Sequence, residues 1–207
     1  MGATSIAVGF LHPGDVAGCF AESLSTTQLA DRRLGRIRSI IGMQSSPRLV
    51  EARSQMVDHF LNLRDEWLLM IDADIGFDSA SVERLLGSGH DVCGACVPLR
   101  QVRWDWVASS VEESRRRGGT GQLDAEQLAA VSHRFAVVFD SGGESSVEPV
   151  GGFLPARFLG SAMMLVTRAA LVSLAASDLV EEYRCANPAC GEPHPGWTFF
   201  DPLVDES

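Results

Sequence analysis

The sequence predicts an α/β fold in which a mostly parallel central sheet is flanked by helices. In the first half of the protein, short apolar runs of strand length alternate with segments whose apolar residues recur at helical spacing. Residues 67–71 are apolar throughout, which is typical of a central parallel strand buried on both faces. A length of 207 residues with 45% hydrophobic content suits one domain with a sizeable core, or a domain with a small lobe.

The elements of the first half follow from these patterns. An apolar strand ends in a turn at Pro13-Gly14. Ser46 and Pro47 open a helix as its N-cap and first helical residue, because these residue types favour those positions. In order, we predict strand 5–10, helix 17–29, strand 36–42, a helix from Ser46-Pro47, strand 67–71, helix 79–86 and strand 91–97.

The second half has a weaker pattern. The charged and glycine-rich residues 101–133 predict a mobile insertion with some helix. The tail from residue 185 contains several prolines, and we expect it to be mostly irregular. The elements between are strands 134–140 and 158–167 and helix 168–176. The sequence is therefore divided into parts 1–100, 101–133 and 134–207.

The basic residues exclude several classes of enzyme. All 17 are Arg, and the sequence contains no Lys. Pyridoxal-phosphate and class I aldolase chemistry need a Schiff-base Lys, a Walker A loop needs Gly-Lys-Ser/Thr, and protein kinases need a strand Lys. The formal net charge of −10 argues against a general nucleic-acid coat, because phosphate binding needs clustered positive charge.

Cysteine count and hydropathy predict the compartment. Five Cys, an odd number, together with an N-terminus that has no basic region before its apolar stretch, favour a reducing compartment. No apolar run is long enough for a membrane span. We expect a cytoplasmic protein, in the host cytoplasm if a phage encodes it.

The strongest local pattern is an apolar strand that leads directly into Asp72-Ala73-Asp74. In an extended backbone, residues two apart face the same way, so both carboxylates would meet at the carboxyl end of the strand. Ligands bind at that edge in open α/β sheets. Hard oxygen ligands there suit Mg²⁺ or Mn²⁺ shared with substrate phosphates. A strand-end turn with solvated aspartates is the alternative.

Arg53 lies on the apolar stripe of its predicted helix. An unpaired charge buried there would be costly, so its guanidinium must find a partner. A strand-end carboxylate and a ligand phosphate both match the planar fork of Arg donors, and both remain open.

These residues together resemble glycosyltransferases of the GT-A fold, similar to family 2 and to glycosyltransferases of actinobacterial phages. The resemblance rests on the strand end at Leu11-His12-Pro13, the helix with Ala52-Arg53, residues 67–77 with Asp-x-Asp, strand 91–94, and residues 160–168. It implies a Rossmann-like GT-A fold in which 1–100 is the nucleotide-sugar-binding half and 134–207 is the acceptor side.

The resemblance also implies roles for single residues. Asp74 would be a direct ligand of Mn²⁺ or Mg²⁺, and Asp72 would contact the metal, its bound water or the ribose. The other donor-binding residues implied are Leu11, His12, Pro13, Arg53, Ala73 and Arg100.

Inverting members of this family carry a later acidic pair that supplies the general base, after an aromatic stretch like residues 197–200. Asp205 and Glu206 are our candidates, and Asp201 is a further one. Two aspartates after an apolar strand also occur in haloacid-dehalogenase-type phosphatases, which this sequence resembles in that respect. It lacks the Lys that stabilises the phosphate in that family.

The cysteines allow a zinc site. Cys93 and Cys96 have metal-knuckle spacing, but they fall in an apparent buried strand, where Cys is an ordinary core residue. Cys185 and Cys190, with His194, would be the nucleus of a structural Zn²⁺ site.

The function expected is that of a metal-dependent hexosyltransferase acting on a nucleotide sugar and an acceptor hydroxyl. The acidic charge favours a protein acceptor over a modified DNA base. A nucleotidyltransferase using the same carboxylates, or a non-catalytic nucleotide-sugar-binding module, remains open.

Overall fold

The computed structural model describes residues 4–45, 47–140, 147–185 and 194–200, apart from the side chains of Cys185 and His194. The protein divides into two compact units. The first unit contains residues 1–95 and 161–207, and the second contains residues 96–160.

A five-stranded sheet forms the centre of the first unit. Its strands, numbered in order along the sequence, are β1 (Ile6–His12), β2 (Ile37–Gln44), β3 (Trp67–Ile71), β4 (Val92–Gly94) and β9 (Met163–Thr167). They lie in the order β2-β1-β3-β9-β4. β9 is antiparallel to both of its neighbours, and the other four strands run in one direction. The predicted α/β fold with a mostly parallel sheet flanked by helices is confirmed.

Four helices lie among the described residues of this unit. They are α1 (Gly18–Asp31), α2 (Leu49–Asn62), α3 (Ser79–Leu86) and α6 (Arg168–Ala175). Alternate residues of the sheet point to opposite faces. The face that carries Ala7, Leu68 and Met70 packs with Met56 and Phe60 of α2 in one buried cluster. The opposite face carries Ile6, beside α1 and α3.

Outside residues 141–146, the second unit contains two short antiparallel strand pairs and two helices. In sequence order its elements are β5 (Pro98–Val102), α4 (Trp104–Arg116), α5 (Ala125–Ser132), β6 (His133–Phe135), β7 (Val137–Phe139) and β8 (Ala156–Leu159). β5 pairs with β6, and β7 pairs with β8. An Asp124–Gln127 capping box starts α5, since each side chain accepts a hydrogen bond from the other residue's backbone.

The tail contains a hairpin that the sequence did not lead us to expect. β10 (Glu182–Cys185) pairs antiparallel with β11 (His194–Trp197), and Tyr183 lies opposite Gly196. The prediction of a mostly irregular tail is therefore wrong for these residues.

Other boundaries also differ from the predictions. α2 begins at Leu49, and the side chain of its N-cap residue, Arg48, makes no capping hydrogen bond. The expected cap, Ser46, lies outside the described residues. The expected strand 158–167 is two strands, β8 and β9, which belong to different units. The expected strand 91–97 is three residues long, Val92–Gly94.

Within the described part of the protein, no helix combines the length and the apolar character needed to cross a bilayer.

Candidate functional site

The candidate site lies where the parallel strands β1 and β3 end. β3 ends at Ile71, and the Asp72 N–H donates to the carbonyl of Ala162, just before β9, at 2.8 Å. The Ile75 N–H then donates to the Asp72 carbonyl at 3.2 Å, which closes a turn. The bond to Ala162 continues the β3–β9 pairing by one residue, and the backbone then turns instead of remaining extended through Asp72-Ala73-Asp74. Of the two alternatives from sequence, the strand-end turn is the one present.

Arg53 of α2 reaches this turn. Its Nη2 donates to Asp72 Oδ1 at 2.9 Å. The Arg53 side chain is 17% exposed, while that of Asp72 is 41% exposed. The sequence allowed two partners for Arg53, a strand-end carboxylate or a ligand phosphate. The structure shows the strand-end carboxylate of Asp72. No other described residue bonds the remaining N–H groups of Arg53.

Helix α1 supports the other side of the turn. The Ala17 N–H donates to the Ala73 carbonyl at 2.9 Å, and the Phe77 N–H donates to Ser23 Oγ at 2.8 Å. Cys19 Sγ lies 3.7 Å from the Asp74 carbonyl. The N-terminal end of a helix carries partial positive charge, which favours anions nearby. The loop of Asp74 is therefore fixed on α1 at its electropositive end.

A third aspartate after β3, Asp78, has a structural role instead. Asp78 is the N-cap of α3, and its side chain accepts from the Ser81 N–H at 2.7 Å. The hydrogen bonds from Ser81 hold the pKa of Asp78 below its ordinary value. Asp78 is thus committed to capping, whereas Asp74 is exposed on the turn next to Asp72.

The end of β1 lies at the same edge. Leu11 and His12 are half-buried, and Pro13 is exposed. β1 and β3 are parallel neighbours whose pairing ends with Gly9 opposite Met70, so their carboxyl ends lie side by side. His12 Nδ1 is buried, and no described residue bonds it. A buried polar atom without a partner is costly, so this nitrogen is a candidate for ligand contact.

The other predicted site residues are placed as follows. Arg100 is exposed on β5, in the second unit. The candidate bases Asp201, Asp205 and Glu206 lie outside the described residues.

The cysteines separate into different environments. Cys93 is buried, with its thiol near Ser88 Oγ and the Leu85 carbonyl, and burial raises its pKa. Cys19, Cys93 and Cys96 are free thiols. Cys185 lies opposite His194 in the β10–β11 register, and Cys190 is outside the described residues.

The donor set at the turn decides which metal chemistry it fits. Among the described residues, no group of three or more His, Cys, Asp or Glu side chains is arranged to hold a metal ion. The turn offers two carboxylates, both hard oxygen donors. Mg²⁺ is usually bound through one or two carboxylates plus substrate phosphates. Asp72 and Asp74 therefore fit an ion shared with a phosphorylated ligand, and they do not form a protein-only cage.

Sequence reasoning missed the residues that hold the turn. The carbonyl of Ala162 and the N–H of Ala17 act through the backbone, which residue type does not reveal. Ser54 and Asp58 of α2 were missed as well. Both are buried, but residue type and helical spacing do not reveal it, because Ser and Asp are mostly exposed in proteins.

No protein-family model and no curated protein matches this sequence. Three solved structures are similar. The first is the crystal structure of A197 from STIV, which is 15% identical to this protein with a TM-score of 0.45. The match covers 82% of this protein and 68% of A197. A glycosyltransferase involved in glycosylation of the PBCV-1 major capsid is 11% identical with a TM-score of 0.33, covering 83% and 64%. The 4-diphosphocytidyl-2C-methyl-D-erythritol synthase of Anaerococcus prevotii is 9% identical with a TM-score of 0.39, covering 90% and 82%. Similarity at this level carries no information on what this protein binds.

Proposed function

We propose that this protein is a metal-dependent glycosyltransferase that moves a sugar from a nucleotide sugar to an acceptor hydroxyl. The observation that carries the proposal is the Arg53–Asp72 pair at the carboxyl end of β3, with Asp74 exposed on the same turn. Positive and negative groups are thereby placed together at the edge where α/β sheets bind ligands.

The donor diphosphate would be held from two sides. Arg53 keeps donors of its planar fork available, and such a fork binds phosphate oxygens in pairs. Asp74, with Asp72, would hold Mn²⁺ or Mg²⁺, which when bound stabilises the negative charge that develops on the leaving diphosphate. Leu11, His12, Pro13 and Ala73 would line the nucleotide, as the family resemblance implies.

His12 offers a specific contact for the nucleotide. Its Nδ1 is buried and unbonded by the described residues, at the end of the strand next to β3. We propose that a donor or acceptor group of the ligand satisfies this nitrogen.

In the transfer step, the oxygen of the acceptor hydroxyl forms a bond to the anomeric carbon of the sugar. The bond between that carbon and the diphosphate oxygen breaks, and the nucleoside diphosphate leaves with the electron pair. The hydroxyl proton passes to a carboxylate, for which Asp205 and Glu206 remain our candidates. The net charge of −10 favours a protein acceptor.

The test is calorimetric titration of a panel of nucleotide sugars, with Mn²⁺ and then with EDTA. We expect one donor to bind, and to bind only with the metal present. Asp74→Asn should weaken donor binding by roughly tenfold or more, because it removes one charged metal ligand. Asp178→Asn, another exposed aspartate, is the matched control and should bind as the unaltered protein does.

Product analysis then assigns the reaction. Release of a nucleoside diphosphate supports sugar transfer, whereas release of pyrophosphate would identify a nucleotidyltransferase. Donor binding without turnover, with acceptor proteins supplied, would indicate a binding module. Equal donor binding in the Asp74→Asn variant and in EDTA would contradict the proposed site.

A further inference from the structure

The hairpin of β10 and β11, called here the C-terminal hairpin, has no strand partner beyond itself in the described sheets. A two-stranded hairpin on its own is at best marginally stable in water. Contacts from outside the hairpin must therefore hold it in place.

Asp58 of α2 supplies those contacts. This residue is only 2% exposed. Oδ2 accepts from the hydroxyl of Tyr183 in β10 at 2.7 Å, and Oδ1 accepts from the N–H of Trp197 in β11 at 3.3 Å. A Cβ at Gly196 would overlap Asp58 Oδ2, so only glycine allows this approach. One buried carboxylate thus bonds both strands of the hairpin.

Ser54 extends the attachment by one helical turn. Residues four apart lie on the same stripe of a helix, so Ser54 and Asp58 face the same way from α2. Ser54 Oγ accepts from the N–H of Phe200 at 3.4 Å, and Ser54 is 1% exposed. Phe199 and Phe200 also pack against the buried cluster of this unit. The segment after the hairpin is therefore held on α2 as far as residue 200.

A residue that holds the C-terminal segment and the residue that reaches the candidate site lie on the same turn of α2. Arg53, which bonds Asp72, directly precedes Ser54, which bonds Phe200. We infer that Asp58 is a positioning residue: it fixes the C-terminal hairpin so that the backbone arrives beside the donor site at Phe200. Asp58 itself contacts neither donor nor acceptor. The catalytic part of this inference rests on the proposed function, since it requires the acceptor side to act on the donor bound there.

The chemistry of the contact dictates the variants. Asp58 accepts two hydrogen bonds from the hairpin, and a carboxylate is an acceptor only. Asp58→Asn keeps the shape but replaces the charged acceptor by a neutral amide, whose oxygen can still accept from Trp197 and whose NH2 group can donate to the Tyr183 hydroxyl oxygen, so both bonds lose their charge assistance. Tyr183→Phe removes one bond and leaves the carboxylate in place. Asp31→Asn is the matched control, because Asp31 is also buried but bonds Arg36 and Ile37.

Trypsin cleavage after Arg184, an exposed residue within β10, reports on the docked hairpin. We follow cleavage at this bond by mass spectrometry and expect it to be about tenfold faster in Asp58→Asn, since two hydrogen bonds to a charged group become weaker neutral ones. Tyr183→Phe should show a smaller increase, and Asp31→Asn should show none beyond its global destabilisation, which thermal unfolding measures separately.

The kinetic prediction is a split between binding and turnover. In Asp58→Asn the donor affinity should equal that of the unaltered protein, while turnover at saturating donor should fall by about tenfold or more. Unchanged cleavage after Arg184 in both hairpin variants would overturn the docking. Faster cleavage with unchanged turnover would overturn the positioning role. If the unaltered protein binds no nucleotide sugar, the proposed function fails, and the cleavage rates still decide whether Asp58 docks the hairpin.

Discussion

Arg53 pairs with Asp72, and in the proposed function it also contacts the donor phosphates. Its side chain is only 17% exposed, yet its guanidinium reaches Asp72, which is 41% exposed. Because the carboxylate is open to water, the pair itself contributes little to stability. The proposed contact with donor phosphates would account for the position of Arg53 at the edge of the sheet.

We therefore expect Arg53→Ala to lower the affinity for the donor by roughly tenfold or more, because a charge-assisted contact to phosphate is lost. The melting temperature should change little. Arg48→Ala is the control, since Arg48 lies at the start of the same helix and is 83% exposed. Calorimetric titration with Mn²⁺ measures both variants. Equal affinities for Arg53→Ala and Arg48→Ala would contradict a role of Arg53 in the site.

At the scale of the elements, α2 is held by side chains from distant parts of the sequence. Arg168, at the start of α6, donates to the carbonyls that end α2 and follow it, those of Phe60, Leu61, Leu63 and Asp65. Its guanidinium also lies 4.6 Å from the centre of the Phe60 ring. The last carbonyls of a helix have no partner within the helix, so the Arg168 guanidinium caps the C-terminal end of α2.

Replacing this cap should be costly. We expect Arg168→Ala to lower the free energy of unfolding by about 3 kcal/mol, because several buried carbonyls lose a charged donor. The free energy of unfolding of Arg168→Lys should lie between those of Arg168→Ala and the unaltered protein, since an ammonium keeps the charge but not the planar fork. Urea unfolding measures both, with Arg64→Ala as the control in the same region, where Arg64 is exposed. If Arg168→Ala lowered the free energy of unfolding only as much as Arg64→Ala does, Arg168 would not be a cap.

Elements with a strong periodic or apolar pattern could be predicted from the sequence. β3 and α3 have the predicted bounds, and the edge of the sheet that carries Asp72 and Asp74 follows from the run before them. A turn after β3 was one of two alternatives, and the sequence could not decide between them, because the turn is held by the N–H of Ala17, which is distant in sequence. The C-terminal hairpin was missed for a similar reason: it is set by Asp58, which prolines and glycines near it do not reveal.

At the scale of the whole molecule, an ion-pair network joins α1, β2 and α3. Asp31 accepts from the Arg36 N–H, Arg36 Nε and the Ile37 N–H. Arg36 also binds Glu83 of α3, with Nη1 3.0 Å from Oε2. Burial would raise the pKa of Asp31, but these hydrogen bonds outweigh it and lower the pKa. The hydrogen bond from Arg36 likewise lowers the pKa of Glu83.

The sign of the pH dependence follows. A carboxyl with a lowered pKa in the folded state binds its proton less readily there than in the unfolded state. Its contribution to stability is complete above the unfolded pKa, roughly 4, and is lost as the pH falls through the folded value. We expect the free energy of unfolding to fall below about pH 4, and to fall less steeply in Asp31→Asn. Urea unfolding between pH 7 and pH 3 measures this, and identical slopes would contradict it.

The reversed strand β9 governs the order in which this protein can be built. It lies between β3 and β4, pairing Trp67 with Thr167 and Val92 with Val166. On the ribosome, β1, β2 and β3 emerge early, but the gap beside β3 stays open until β9 is made. The apolar edge of β3 therefore remains unpaired while the whole second unit is synthesised. During that time it can associate with other molecules. Closure over so long a stretch of sequence is slow, so we expect pairing of β3 with β9 to be a late step in folding.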